Sequence, residues 1–287
     1  MESPSGRYLY RASAVVAGGR MTRVDPVDDL DAPIESVAPV TLPIVGGRSE
    51  AKTRKMVLDC ADADFCDAGR ADKKIAKQVR VVTIGGSYAL AESDREFDGK
   101  PRRARIRSMA RSVRALGGVS IKRLDLNMEL SHDDRRESFP SITFGETAIT
   151  GLKLGRKELE VTLDLDLFNK HPTLEALEKA SRKRTLSKQI SQRLLLDRET
   201  KGIYRSKAGF AVGTLVQKIE GDLPEGAYIE ENGYTIVWPG IFGKIILGEV
   251  LISDYSRRAT LVRFERGSPA RGHDCLAEGD IGGGTMP

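Results

Sequence analysis

The chain has 287 residues, 40% of them hydrophobic and 30% charged, which is typical of a soluble globular protein with a large buried core. Its 46 basic and 41 acidic residues leave a formal net charge of +5, a mild bias towards anionic partners and too small to be a nucleic-acid signature. The three cysteines are an odd number in a chain too large to depend on a disulfide framework, so free thiols are expected.

The N-terminal residues bear on localisation. The stretch MESPSGRYLYRASAVVAGGR has no basic segment followed by a long apolar run, so it gives no secretory signal. The cytoplasm is therefore the expected location, in agreement with the free thiols.

Short strands bounded by glycine pairs and turn residues are predicted along most of the chain. In order they are Tyr8–Val16, Ser36–Leu42, Met56–Ala61, Gln78–Ile84, Ser120–Leu130, Ala148–Leu154, Leu159–Phe168, Phe210–Ile219, a strand within Tyr234–Tyr255, and Thr260–Glu265. This spacing predicts a single, mainly β domain over residues 1–287, antiparallel and of sandwich or barrel-like form.

Three other segments are expected to differ from these strands. One short helical insertion is predicted at about 172–198, with Thr173 as its N-cap and a break near Ser181–Thr185 that divides it into two helices. The charged residues 92–112 are expected to be a loop or an exposed segment, and the glycine-rich residues 267–287 an irregular tail.

The most apolar stretch is YTIVWPGIFGKIILGEVLISDY, residues 234–255, which contains the only tryptophan. Pro239, Lys244 and Glu249 interrupt it, and a membrane-spanning helix needs roughly 20 mostly apolar residues, so no transmembrane segment is predicted. Apolar residues fall on both faces after Gly243, which predicts a strand covered on both sides at the centre of a core. Pro239 and Gly240 suit a type II turn.

Turn layout gives the chain a resemblance to a known family. Gly151, Leu152, Leu154 and Gly155 form one glycine-bounded hairpin pattern, and Pro239, Gly240, Gly243 and Glu249 mark a later one. In this order, residues 110–255 resemble the choice-of-anchor P family of bacterial β-rich surface proteins. The resemblance implies a β fold and carries no catalytic residues. It also implies a surface location, whereas the N-terminal residues favour the cytoplasm.

Motifs for catalysis and cofactor binding are incomplete. GGRSEAKT at residues 46–53 approaches a P-loop but has alanine at the second glycine position, so a surface hairpin loop is favoured. The cluster Asp59–Asp67, with Cys60 and Cys66, lacks the spacing of a calcium loop or a zinc site. His132, His171 and His273 lie in predicted loops and are expected to be exposed. No catalytic residue, cofactor or metal site is therefore predicted.

The strongest local charge is the basic segment 100–123, since no acidic residue occurs between Gly99 and Arg123. Its candidate polyanion contacts are Arg102, Arg103, Arg105, Arg107 and Arg111. No aromatic residue is interleaved with these arginines, so stacking on single-stranded bases is not indicated.

Three functions fit this sequence. The leading hypothesis is a non-enzymatic structural or interaction protein, with protein partners or a homo-oligomer formed through strand edges. A polyanion- or nucleic-acid-binding module that uses the basic segment 100–123 is the alternative. The third is an enzyme whose active site is assembled from distant strands and cannot be recognised in the sequence.

Overall fold

Two antiparallel sheets contain most of the residues that the computed structural model describes, which are 8–22, 31–37, 40–42, 47–58, 82–93, 102–115, 118–132, 139–197, 199–200, 202–207, 209–238, 243–266 and 271–285. The strands of these residues are β1 (Tyr8–Thr22), β2 (Asp31–Val37), β3 (Val40–Leu42), β4 (Gly47–Thr53), β5 (Met56–Leu58), β6 (Val82–Ile84), β7 (Gly86–Ser93), β8 (Arg102–Ala115), β9 (Val119–His132), β10 (Ser141–Phe144), β11 (Ala148–Leu154), β12 (Lys157–Leu163), β13 (Ala211–Thr214), β14 (Val216–Glu220), β15 (Tyr228–Ile229), β16 (Thr235–Trp238), β17 (Gly243–Ile252), β18 (Ser256–Arg266) and β19 (Arg271–Thr285).

The two sheets pack face to face. The first has the order β15-β16-β17-β18-β19-β1-β2, with β13 beside β17 and β3 beside β1. The second has the order β14-β12-β11-β9-β8-β6-β5, with β10 beside β9 and β7 between β4 and β8. Strands β1 and β19 lie against β8 and β9, and the apolar core fills the space between them. The predicted antiparallel β-rich fold is therefore confirmed, in sandwich form.

On four neighbouring strands of the first sheet, the set of alternate side chains that faces the core changes at aligned positions, which form one level across the sheet. On β17, Ile245 and Leu247 are buried before this level, whereas Val250 and Ile252 are buried after it. At this level each strand consequently turns two consecutive residues towards the core, where strict period-two alternation would turn only one. We call these pairs the inward row: Val16–Ala17, Leu247–Gly248, Leu261–Val262 and Leu276–Ala277.

The second sheet shows the opposite change: at one level, two consecutive residues of each strand face solvent. On β8, Ala110 and Val113 are buried, and the two residues between them are exposed. The same change occurs at aligned positions on β9, on β11 and where β6 continues into β7. We call the resulting pairs the outward row: Gly85–Gly86, Arg111–Ser112, Lys122–Arg123 and Thr150–Gly151.

Left-handed backbone accompanies both rows. Within the described residues, Ser112 (φ 50°) and Ala277 (φ 51°) are the two non-glycine residues with positive φ, and each lies in one of the rows. Gly151 (φ 64°) and Gly248 (φ 62°) lie two strands away from them in the same rows. A left-handed residue turns the strand over, so a residue of this kind on every second strand accounts for the reversal.

Two buried hydroxyl groups donate hydrogen bonds to backbone carbonyls beside the inward row. Ser108 Oγ on the second sheet donates a hydrogen bond of 2.9 Å to the carbonyl of Val15 on the first. Thr214 Oγ1 donates one of 3.1 Å to the carbonyl of Leu247, next to left-handed Gly248. A buried carbonyl without a partner costs about 1–3 kcal/mol, so these two bonds stabilise the reversal.

The prediction of a loop or exposed segment at residues 92–112 is wrong for residues 102–112, because they belong to β8 at the centre of the second sheet; residues 94–101 lie outside the described residues. Three of the four inward side chains of this strand are small or polar, which hides the apolar period of two: Ala104, Ser108 and Ala110 accompany the larger Ile106. Arginines fill the alternate positions from 103 to 111 except position 109, which is a methionine.

The prediction of an irregular tail at residues 267–287 is also wrong. Residues 271–285 form β19, which pairs with β18 on one side and β1 on the other. Its glycines reflect close packing: a Cβ at Gly279 would clash with Ile106 of the opposite sheet, and one at Gly282 would lie 2.5 Å from Ser256 Cβ. Glycine content here indicates a tight interface between strands and sheets.

Three short helices occur among the described residues: α1 (Asp166–Lys170), α2 (Leu174–Ser181) and α3 (Arg184–Arg193). Thr173 caps α2 by accepting a hydrogen bond of 3.1 Å from the Ala176 amide, and the helices break between Ser181 and Arg184, as predicted. The insertion ends at Arg193, not 198.

The predicted strand Leu159–Phe168 is wrong beyond Leu163. Asp164 Oδ1 accepts a hydrogen bond from the Leu167 amide, and α1 begins there instead.

The apolar tryptophan segment forms β16 and β17 inside the first sheet, so the predicted buried strand is confirmed. Gly248 permits the close approach of another backbone: the Leu215 amide donates 2.7 Å to its carbonyl, and a Cβ there would lie 3.3 Å from the Val216 amide. The predicted turn at Pro239 and Gly240 lies outside the described residues.

Replacing Leu247 by alanine should lower the free energy of unfolding by about 2–5 kcal/mol, because the side chain is fully buried and its loss leaves a cavity. Urea denaturation followed by circular dichroism measures this change. Leu195→Ala is the control, since that side chain is 54% exposed and its loss should cost less than about 0.5 kcal/mol. Equal midpoints for the two variants would contradict the core assignment.

Replacing Ser112 by glycine should raise the free energy of unfolding by up to about 1 kcal/mol. The left-handed conformation costs an L-residue about 1–2 kcal/mol, and the greater chain entropy of glycine offsets part of the gain. Ser131→Gly, at an exposed position of β9 with ordinary φ, should instead destabilise. Thermal and urea denaturation compare the pair, and destabilisation by both would refute the left-handed assignment.

Candidate binding surface

Strand β8 places most of the predicted polyanion contacts on one face of the second sheet. Arg103, Arg105, Arg107 and Arg111 occupy alternate positions and point away from the core. Successive alternate residues are about 7 Å apart along a strand. Arg102 begins the strand, and its side chain lies outside the described residues. The sequence therefore identified a real row of outward arginines, although it predicted a loop there.

One end of this face is an open concavity of about 950 Å³, which we call the groove. The polar side chains that define it come from adjacent strands: Arg48, Glu92, Arg103, Arg105, Glu129 and Thr143. Five of these positions are direct cross-strand neighbours, in the order Arg48, Glu92, Arg105, Glu129 and Thr143. Basic and acidic groups thus alternate across the floor of the groove.

Glu92 is held between two arginines of the groove. Arg105 Nη2 forms an ion pair with Glu92 Oε1, and Arg48 Nη1 lies 3.4 Å from Glu92 Oε2. Arg48 also donates 2.8 Å to Glu50, and this hydrogen bond lowers the pKa of the Glu50 carboxyl. All these groups are at least partly exposed, so solvent screens the pairs and an external anion can compete for the arginines.

Arg107 has a different role from its neighbours. Its Nε and Nη2 atoms donate bidentate hydrogen bonds of 3.0 Å each to Asp125, and these raise the pKa of the guanidinium. Arg123 forms a second ion pair with the same carboxylate, whose side chain is only 5% exposed. Arg107 is therefore largely committed to an internal contact.

The structure of residues 47–53 differs from that of a P-loop, which their sequence approaches. Gly47–Thr53 is β4, paired along its whole length with β7. A P-loop requires a helix after the glycine-rich turn, and here the chain continues through residues 54–55 into β5. The favoured surface hairpin loop is wrong as well, because these residues form a strand.

Residues considered for metal binding or nucleophilic chemistry do not converge in the described part of the chain. Asp59–Asp67, Cys60 and Cys66 lie outside it. Within it, no group of three or more His, Cys, Asp or Glu side chains is placed to hold a metal ion. Burial raises the pKa of Cys275 to about 12, so its thiol stays protonated at neutral pH and is a poor nucleophile.

Two of the three histidines lie on strands and not in the predicted loops. His132 is the last residue of β9 and is buried, and His273 lies on β19, so both belong to strands and not to loops. His171 follows α1, where burial lowers the pKa of its imidazole.

Sequence reasoning missed a fully buried cation, Arg257 on β18, which is 1% exposed. Its Nη2 donates 2.9 Å to the carbonyl of His171 and its Nη1 donates 3.4 Å to that of Phe168. The guanidinium carbon lies 5.8 and 5.9 Å from the ring centroids of Phe144 and Phe168. Burial lowers the pKa of Arg257 to about 9, so it remains charged at neutral pH. It attaches the end of α1 to the first sheet.

The comparisons with known proteins give one family. A family model described as a domain of unknown function (DUF8256) matches residues 8–253, which include the groove, the outward row and all three helices. No curated protein and no solved structure shows a significant match to the chain. Among the described residues, no helix is both long and apolar enough to cross a membrane.

Replacing Arg257 by methionine should lower the free energy of unfolding by about 2–4 kcal/mol, because the carbonyls of Phe168 and His171 lose their buried donor. Urea denaturation measures the loss, and hydrogen exchange should show it first as reduced protection of α1. Arg156→Met, at an exposed turn, is the control. Unchanged stability and exchange would show that Arg257 does not hold the helix.

Proposed function

The chain belongs to the DUF8256 family, whose description assigns no activity, and we propose that it is a non-enzymatic interaction protein that binds anionic groups of a partner in the groove. The observation that carries this proposal is the carboxylate of Glu92, which two arginines from separate strands already hold at the groove floor. Arg103 lines the same concavity. Guanidinium groups bind carboxylate, phosphate and sulfate groups through paired hydrogen bonds.

The remaining groove side chains suit recognition. Ser93, Ser131, Ser141 and Thr143 supply hydroxyl groups that donate or accept hydrogen bonds around the arginines. An open concavity with a few positioned polar groups favours reversible docking of an exposed chain segment or headgroup. Exposed arginines also accelerate association with a negatively charged partner.

Charge on two edge strands of the second sheet, β4 and β14, makes assembly through these edges a weaker proposal. In the described part of the chain, β4 pairs only with β7 and β14 pairs only with β12. Exposed charged residues mark both edges: Arg48 and Lys52 on β4, and Lys218 and Glu220 on β14. Charged edges, with lysine above all, typically discourage pairing with another chain. Self-assembly, cytoplasmic location and the choice-of-anchor P resemblance stay predictions.

The groove proposal is tested by two substitutions with opposite expected effects. Arg105→Gln should weaken binding of an anionic probe about tenfold, the value of one charge-assisted contact. Glu92→Gln should strengthen binding several-fold, because it frees Arg48 and Arg105 from their internal carboxylate. Fluorescence anisotropy with labelled poly-glutamate, dextran sulfate and a single-stranded oligonucleotide at low salt measures both effects.

A charge change outside the groove is the control for these two substitutions. Lys153→Gln removes one positive charge from β11, away from the groove, and should change affinity less than twofold. Binding should also weaken as salt rises, since the contacts are partly exposed. If none of the three probes binds at low salt, or if Glu92→Gln weakens binding as Arg105→Gln does, the groove is not an anion site.

A further inference from the structure

The outward row carries an unusual density of positive charge. On β8 and β9, Arg111, Ser112, Lys122 and Arg123 are consecutive pairs that all face solvent, because the alternation reverses between the members of each pair. Thr150 follows on β11 as the cross-strand neighbour of Arg123. Three cations and two hydroxyl groups are thereby brought together on adjacent strands.

Like charges face each other directly in this row. Arg111 and Arg123 are cross-strand partners, which places their Cβ atoms about 5 Å apart, and such pairs are destabilising. The nearest carboxylate is Asp125, and both its oxygens already accept from Arg107 or Arg123. Within the described residues, no carboxylate is within ion-pair distance of Arg111 or Lys122. The row therefore has excess positive charge that an external anion would neutralise.

Backbone strain marks the same place. Ser112 adopts φ 50°, a conformation that favours glycine, and glycines occupy the flanking positions of the row. A Cβ at Gly85 would lie 2.7 Å from Ser112 Cβ, and one at Gly151 would lie 2.7 Å from Lys122 Cβ. Serine thus keeps a hydroxyl at a position that glycine would fill at lower cost. Strained residues of this kind concentrate at functional sites.

We propose that the outward row is a second binding site, which takes one tetrahedral oxyanion, a phosphate or sulfate group. Arg111 supplies a planar guanidinium fork, Lys122 a point charge, Arg123 the guanidinium nitrogens that do not bond Asp125, and Ser112 and Thr150 hydroxyl donors. The site is distinct from the groove, since Arg111 follows Arg105 by six residues along β8, about 20 Å. It does not depend on the groove proposal. A partner with two anionic groups at that separation would contact both.

Inorganic pyrophosphate is a suitable probe, and isothermal titration calorimetry at low ionic strength measures its affinity. Arg111→Gln should raise the dissociation constant about tenfold, the loss expected for one charge-assisted contact. The same substitution should also raise the melting temperature of the unliganded protein by about 1 °C, because it removes the repulsion with Arg123. A purely structural role for Arg111 would lower the melting temperature instead.

Two controls separate this site from general charge and from the groove. Arg156→Gln makes the same charge change at the exposed turn between β11 and β12, and Arg105→Gln makes it in the groove. Arg156→Gln should leave the pyrophosphate affinity within about twofold, whereas Arg105→Gln should weaken only the part of the binding isotherm that belongs to the groove and leave the part lost in Arg111→Gln unchanged. Equal losses in Arg111→Gln and Arg156→Gln would overturn the proposal in favour of a general field. A loss only in Arg105→Gln would place the anion in the groove, overturning this site and supporting the other. No heat of binding up to about 10 mM pyrophosphate would also overturn it.

Discussion

The hydrogen bond from Ser108 to the carbonyl of Val15 joins the two sheets at the level where the first sheet reverses its alternation. A strand that turns over removes a carbonyl from its ladder, and a buried carbonyl must find another donor. Here the donor comes from the opposite sheet, so the reversal and the packing of the sheets stabilise each other. At the far side of the row the carbonyl of Leu247 also has a hydroxyl donor, Thr214, which lies on the neighbouring strand β13 of the same sheet. Which side chains of these strands face the core therefore depends on the position of the reversal.

The same reversal explains which parts of the fold the sequence predicted. Ala148–Leu154 and the strand after Gly243 were predicted from local patterns, and Thr173 from its capping chemistry, because one segment carried each signal. Strand β8 was missed because its period of two changes phase at Ser112 and its inward residues, apart from Ile106, are small. Strand β19 was missed because glycine, which usually ends strands, is required there by side chains of other strands.

The candidate site was predicted in part for a similar reason. Arg103, Arg105, Arg107 and Arg111 lie on one strand, so their common face could be inferred from spacing. Arg48 and Glu92 come from β4 and β7, and their approach to Arg105 depends on register between strands that no local pattern specifies. The burial of Arg257 could not be predicted either. Its neighbours in the sequence are polar, and Phe144 and Phe168, whose rings lie beside its guanidinium, come from distant segments of the chain.

The pairing of β1 with β19 has a consequence for how this protein is made. Tyr8 lies opposite Thr285, so β1 cannot complete its pairing with β19 until residue 285 has been synthesised. Until then β1 lacks this partner, and its apolar face is open to other nascent chains. Folding dominated by such distant pairings is slow, and partly folded chains are aggregation-prone. Chaperone demand and loss of solubility on truncation before residue 271 should therefore be governed by the arrival of β19.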